Sequence, residues 1–155
     1  MLPQAGQSPL LFAGGIGLGP VLFLYNELKA QGLPARFFYG ARSKPLVPRE
    51  CLPENAEIYT DDGSLGAQGR PAEIIASGEL GANPIVYACG PKPMLSRLAE
   101  LTEARGIPCY VSVEQNMACG VGACMGCNVL VRDERGSVRA CAEGPVFDAK
   151  ELLWN

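Results

Sequence analysis

Four of the seven cysteines in this 155-residue chain fall between positions 119 and 141, and the chain has no histidine. Cys119, Cys124 and Cys127 stand in a C-x4-C-x2-C spacing, and Cys141 follows a short apolar and charged segment. That spacing is the plant-type pattern for four thiolates around a [2Fe–2S] cluster. Gly120, Gly122 and Gly126 lie between the cysteines. Glycine lets the backbone wrap a metal centre and lets amide groups approach its sulfurs. A four-thiolate zinc site is the alternative, but zinc ribbons pair two short knuckles, whereas here three cysteines share one loop with a distant fourth. The missing histidine removes His-ligated zinc, Rieske centres and imidazole acid–base catalysis. The metal ligands are therefore read as Cys119, Cys124, Cys127 and Cys141, with no catalytic side chain, and Cys51 and Cys109 as structural.

A second set of residues is suited to a dinucleotide. Gly14, Gly15 and Gly17 lie between an apolar run and a helical pattern, with Pro20 where a G-x-G-x-x-G motif would place its last glycine. Such a loop lets a pyrophosphate reach a helix N-terminus, where N–H groups and the dipole favour anions, although a plain strand-to-helix turn has the same composition. Cys89-Gly90-Pro91, followed by Met94, ends another apolar run. Cys89 reads equally as a small buried hydrophobe or as a contact beside a nicotinamide ring. Asp61 and Asp62, in Thr60-Asp61-Asp62-Gly63-Ser64, form either a polar turn or a pair that accepts ribose hydroxyls and repels a 2′-phosphate. The second reading favours NAD over NADP. Arg42, Arg70 and Lys92 are candidate phosphate partners.

The elements that must position these groups alternate in type. Apolar runs at 9–13, 35–39, 57–60, 85–88 and 109–113 read as strands. Helical patterns run from Pro20 to Gly32, over 70–77, and from Pro93 to Gly106. Pro20 suits the first helical position, where its missing N–H is not needed. This alternation predicts an α/β fold with a doubly wound, parallel, five-stranded sheet. After Val113 glycine and cysteine dominate, and 128–132 with 137–140 read as a small hairpin. A boundary is expected at 113/114, with a dinucleotide-binding domain over 1–113 and a cluster module over 114–155. Hydrophobic residues make up 48% of the chain and charged residues 19%, which excludes a disordered chain. A net charge of −3 without a Lys/Arg cluster argues against nucleic acid as a partner. No apolar run is long enough for a membrane span and no signal segment opens the chain, so a cytoplasmic protein is expected.

Taken together, the glycine loop at 14–20, Tyr39-Gly40-x-Arg42, Thr60–Ser64 and Cys89-Gly90-Pro91-x-x-Met94 resemble the nicotinamide-binding half of the ferredoxin–NADP reductase superfamily. With the cysteine loop and Cys141-x-x-Gly144-Pro145-Val146-Phe147 added, the chain resembles the electron-transfer subunit of class B dihydroorotate dehydrogenase from about Pro9 to Leu152. The resemblance implies a [2Fe–2S] cluster, NAD and FAD as cofactors. It also implies a catalytic FMN-containing partner subunit in a heterotetramer, serving pyrimidine biosynthesis. Related flavin complexes, of the sulfide dehydrogenase or ferredoxin–NADP transhydrogenase type, are the alternative, and a zinc-stabilised nucleotide-binding module the more distant one. The family carries a β-barrel ahead of the nicotinamide domain that supplies most FAD contacts. Its Arg-x-Tyr-Ser and Arg-Pro-x-Ser motifs do not occur here. The chain is therefore expected to be the C-terminal portion of such a subunit and to bind FAD weakly or not at all by itself.

Overall fold

The computed structural model of the protein describes residues 2–4 and 6–154. Its centre is β1 (Ser8–Gly14), whose Leu10 to Ala13 are completely buried. An uninterrupted apolar run suits a strand covered on both faces, as a parallel sheet with crossover elements requires. β1 pairs with β2 (Arg36–Ala41) on one side and with β5 (Pro84–Cys89) on the other, both parallel. Outward from β2 lie β3 (Glu57–Thr60) and the two-residue β4 (Ala67–Gln68), and outward from β5 lies β6 (Cys109–Ser112). The five expected strands form the order β3-β2-β1-β5-β6, so the strand order reverses between β1 and β5. Open α/β sheets bind ligands outside the carboxyl ends of the strands at such a reversal.

The sheet extends beyond five strands. β4 adds a short edge, and β9 (Val146–Asp148) pairs antiparallel with β6, placing Phe147 opposite Val111. The seventh strand thus comes from the cysteine-rich segment. The hydrophobic core continues across the expected boundary, taking Leu98 and Val111 together with Val129, Val138, Phe147 and Leu152. An Arg132–Glu103 ion pair at 2.9 Å adds a second tie.

Helix α1 (Leu18–Ala30) covers one face of the sheet, packing Val21 and Leu28 against Leu11, Phe37 and Tyr87. It begins two residues before Pro20, after a 3-10 turn at Gly15–Gly17. Pro20 is tolerated there because its N–H would be one of the helix's unpaired first amides in any case. On the other face lie α2 (Ile74–Ser77) and α3 (Lys92–Ala104). The pattern expected as one helix over 70–77 divides into a 3-10 turn at Pro71–Glu73 and the single turn of α2. Phe12 stacks on Phe38 beneath this layer, with ring centroids 4.6 Å apart. The expected hairpin forms as β7 (Asn128–Leu130) and β8 (Ser137–Arg139), each strand starting where expected and ending one or two residues early. Among the described residues, no helix is long and apolar enough to cross a membrane.

Candidate functional site

The hairpin explains why Cys141, far along the chain, joins the cysteine loop. In its register Asn128 faces Arg139, and the Ala140 amide donates to the Cys127 carbonyl at 3.0 Å. Cys127 and Cys141 thereby flank the end of one two-stranded ladder. The Cys141 amide and thiol both donate to the Cys127 sulfur, which holds the Cys127 thiol below its ordinary range. The same sharing, with Cys141 as donor, raises Cys141.

Cys119 and Cys124 form a second pair. The Cys124 amide donates to the Cys119 sulfur at 3.4 Å, and the Gly126 amide to the Cys124 sulfur at 3.4 Å. The Cys124 amide first, then those of Val121 and Ala123, lower the Cys119 thiol to about 6. Amides aimed at sulfur favour thiolate and metal-bound sulfur alike. The loop can aim them because Gly120 and Gly122 adopt left-handed φ values of 68° and 80°. Cys119 and Cys124 are exposed, Cys127 is buried and Cys141 is half-buried.

Among the described residues, no three metal-binding side chains close around a single ion. The thiols are instead arranged two and two. That division suits a cluster with two irons, each taking two protein thiolates, better than one zinc ion with four. The donor set fits a [2Fe–2S] group, with Cys119 and Cys124 as one half and Cys127 and Cys141 as the other.

The glycine loop lies at the reversal point. Ala13 is paired with Cys89, so the carboxyl ends of β1 and β5 are side by side. A Cβ on Gly17 would meet the Cys89 carbonyl oxygen at 2.2 Å, and one on Gly14 would meet Pro91 at 3.0 Å and the Met94 sulfur at 3.1 Å. A Cβ on Gly90 would meet Met94 at 2.6 Å. Gly14, Gly17, Cys89, Gly90, Pro91 and Met94 therefore form one contact group. Gly15 differs: with φ of 56° it has nothing within 4 Å of its Cβ position. Gly15 thus leaves its backbone uncovered just before a helix start, the arrangement an anionic pyrophosphate uses. Pro20 and Arg42 are exposed on the same edge.

Asp61 and Asp62 follow β3 on that edge, but their surroundings differ. Asp62 accepts Ser64 twice, from the hydroxyl at 2.6 Å and the amide at 3.0 Å, which holds its carboxyl below the usual range. The polar-turn reading applies to Asp62. Asp61 is an exposed carboxylate at the strand end.

Cys89 is only 1% exposed, and its thiol approaches Glu114 at 3.9 Å. Burial raises this thiol, so Cys89 is a neutral packed group. Glu114 was not singled out by sequence reasoning, because a lone carboxylate after a strand carries no spacing signal. The Tyr39 phenol donates to the Leu46 carbonyl at 3.5 Å, and burial raises it while the neighbouring Gly15 backbone partly offsets that rise. A groove of about 420 Å3, lined by Gly90, Lys92, Glu114, Asn128 and Trp154 among others, runs from this edge to the hairpin. A larger cavity of about 640 Å3, with Glu79, Asn83 and Arg105, opens at the opposite end of the strands. It lies away from the thiol pairs and the glycine loop.

Residues 114–153 match the family described as the iron–sulfur cluster binding domain of dihydroorotate dehydrogenase B. Over 151 residues the chain is 38% identical to the electron-transfer subunit of dihydroorotate dehydrogenase B (NAD(+)) from Caldanaerobacter subterraneus, covering 96% of this chain and 60% of that protein. It is 40% identical to the corresponding subunit of Geobacillus thermodenitrificans, covering 96% of this chain and 58% of the relative. The chain thus spans less than two thirds of the length of these relatives. Among solved structures, the NADH-dependent reduced ferredoxin–NADP oxidoreductase described for flavin-based electron bifurcation superposes with a TM-score of 0.81 at 27% identity. That superposition covers 96% of this chain and 54% of the other.

Proposed function

We propose that the chain is the NAD-side, cluster-carrying part of the electron-transfer subunit of dihydroorotate dehydrogenase B, a reading supported by the match of residues 114–153 to that enzyme's iron–sulfur cluster binding domain. The observation that carries the reading is the two-and-two grouping of Cys119 with Cys124 and of Cys127 with Cys141, set beside a dinucleotide crevice. In this assignment residues 1–113 bind NAD and residues 114–155 hold the [2Fe–2S] cluster. FAD is the third cofactor, held mainly by the part of the relatives' length beyond this chain. Nicotinamide moves electrons in pairs, a [2Fe–2S] centre moves them singly, and a flavin converts between the two.

The chain's own residues bind, orient and exclude. Gly14, Gly15 and Gly17 admit the pyrophosphate to the start of α1, and Pro20 sits within that first turn. Arg42 adds positive charge at the edge. Asp61 accepts a ribose hydroxyl, while Asp62 holds the turn that presents it. Gly90, Pro91 and Met94 form the wall against which the nicotinamide end rests, with Cys89 packed behind it. No residue has to move a proton on a substrate, which agrees with a chain that has no histidine. Substrate oxidation belongs to a catalytic partner subunit, carrying FMN and assembling as a heterotetramer in pyrimidine biosynthesis. A second reading rests on the superposition with the NADH-dependent reduced ferredoxin–NADP oxidoreductase, and assigns the same parts to a transhydrogenase complex.

Anaerobically prepared protein should contain iron and acid-labile sulfide in equal amounts; zinc without either refutes the reading. NADH should bind more tightly than NADPH. Pull-down from the source cell should recover dihydroorotate-oxidising activity, whereas ferredoxin-linked activity without it selects the second reading.

A further inference from the structure

Arg139 was not singled out by the cysteine spacing, yet it is the side chain that joins the two thiol pairs. It is the last residue of β8, just before the segment that carries Cys141. Its Nη1 donates to the Gly122 carbonyl at 2.8 Å, and Gly122 lies within the loop between Cys119 and Cys124. Its Nε spans both carboxylate oxygens of Glu143 at 3.1 Å, and Nη2 also donates to Glu143. Glu143 completes the clamp by accepting the Arg139 amide at 2.6 Å. The fit has little slack. A Cβ on Gly122 would stand 3.2 Å from Nη1 and 3.2 Å from the Ala142 Cβ. Surface arginines paired with one exposed carboxylate, such as Arg135 with Asp133, bridge nothing of this kind.

The charge matters as well as the geometry. A [2Fe–2S] centre with four thiolates is negative and becomes more so on reduction, so a fixed cation nearby favours the reduced form and a fixed anion opposes it. We propose that Arg139 is the positioning residue of the cluster, clamping the Cys119–Cys124 loop to the strand that leads to Cys141, and that its charge, partly cancelled by Glu143, sets the cluster's midpoint potential. This rests on the [2Fe–2S] reading. It predicts that replacing the two partners moves the potential in opposite directions, an outcome that shared damage to folding does not produce.

The experiment uses the full chain, loaded with iron and sulfide anaerobically, as wild type, Arg139→Gln, Arg139→Lys and Glu143→Gln. Redox titration followed by electron paramagnetic resonance reads the midpoint, and iron release to a chelator reads the clamp. Arg139→Gln should lower the midpoint and Glu143→Gln should raise it. Arg139→Lys should stay near wild type in potential, because the charge is kept, but release iron faster, because the fork geometry is lost. Equal or same-signed midpoints in Arg139→Gln and Glu143→Gln overturn the proposal. If Arg139→Gln retains no cluster, Glu143→Gln decides the sign, and a midpoint at or below wild type overturns it. Wild-type protein with zinc but no iron or sulfide removes the underlying reading, a result separate from any shift among the variants.

Discussion

Substituting Gly17 by alanine should loosen the molecule at the point where the dinucleotide crevice is built. Gly17 has φ of −63° and ψ of −4°, values open to any residue, so the substitution carries no backbone strain. The obstacle is space. The new Cβ would lie 2.2 Å from the Cys89 carbonyl oxygen, 2.3 Å from its carbon and 2.6 Å from the Gly90 nitrogen. Optimal contact is about 3.5 Å, so the first of these must open by roughly 1.3 Å. All three atoms are backbone at the end of β5, a strand paired on both sides, so α1 must shift instead.

Overpacking of a tight site costs about 1–3 kcal/mol, and clashes with fixed backbone belong at the upper end. Alanine recovers about 0.4–1 kcal/mol through the unfolded chain. The net loss is about 2 kcal/mol, which at a urea slope of about 2 kcal/mol/M lowers the midpoint by about 1 M. Two neighbours are internal controls. Gly19 has nothing within 4 Å of its Cβ position and lies inside α1, so Gly19→Ala should gain about 0.5–1 kcal/mol. Gly15 has equal space but φ of 56°, so Gly15→Ala should lose about 1–2 kcal/mol. Urea unfolding followed by circular dichroism gives the order, and NADH titration should show weaker binding for Gly17→Ala. A Gly17→Ala midpoint at or above wild type would refute the packing argument.

Phe147 is buried in the core shared between the sheet and the cysteine-rich segment, and Phe147→Ala should cost about 3–5 kcal/mol. Tryptophan fluorescence from Trp154 and far-ultraviolet dichroism should then lose structure together; two separate transitions would disprove a continuous core. Cys109 is 3% exposed, with its thiol pushed up to about 12 by burial, whereas Cys51 is exposed. Iodoacetamide with peptide mapping should label Cys51 in the folded protein and Cys109 only after unfolding; equal rates would contradict this burial. Asp62 has a folded pKa below its unfolded value, so its contribution to stability is present above the unfolded value of about 4 and lost as pH falls through the lowered one. Ser64→Ala should raise the Asp62 titration midpoint measured by carbon-13 resonance, and an unchanged midpoint would show that Ser64 is not the cause.

Much of the fold was legible because burial on both faces leaves continuous apolar runs, as at Leu10–Ala13 and Ile85–Ala88. Element ends were less so. The start of α1 was misplaced by two residues because Pro20 is acceptable at several positions of a first turn, all of which lack intrahelical N–H partners. β9 was missed because Val146–Asp148 is a three-residue strand whose pairing is visible only once β6 stands beside it.

The same division holds for the sites. Ligand spacing and the absence of histidine are local facts, so the sequence alone determined that thiolate chemistry is available and imidazole chemistry is not. It also determined where glycines interrupt a strand-to-helix passage, because that depends on neighbours along the chain. The turn bond from Ser64 to Asp62 is local as well, although the sequence left open which of the two aspartates it engages. Only the tertiary structure decided that Cys89 is buried against Glu114. It also decided that Arg139 ties the loop at Gly122 to Glu143. Cys89 with Glu114, and Arg139 with Gly122, are pairs far apart along the chain at separations that no motif fixes. Pairing of β5 with β6 brings the first pair together and closure of the hairpin the second, and side-chain direction then selects the contacts.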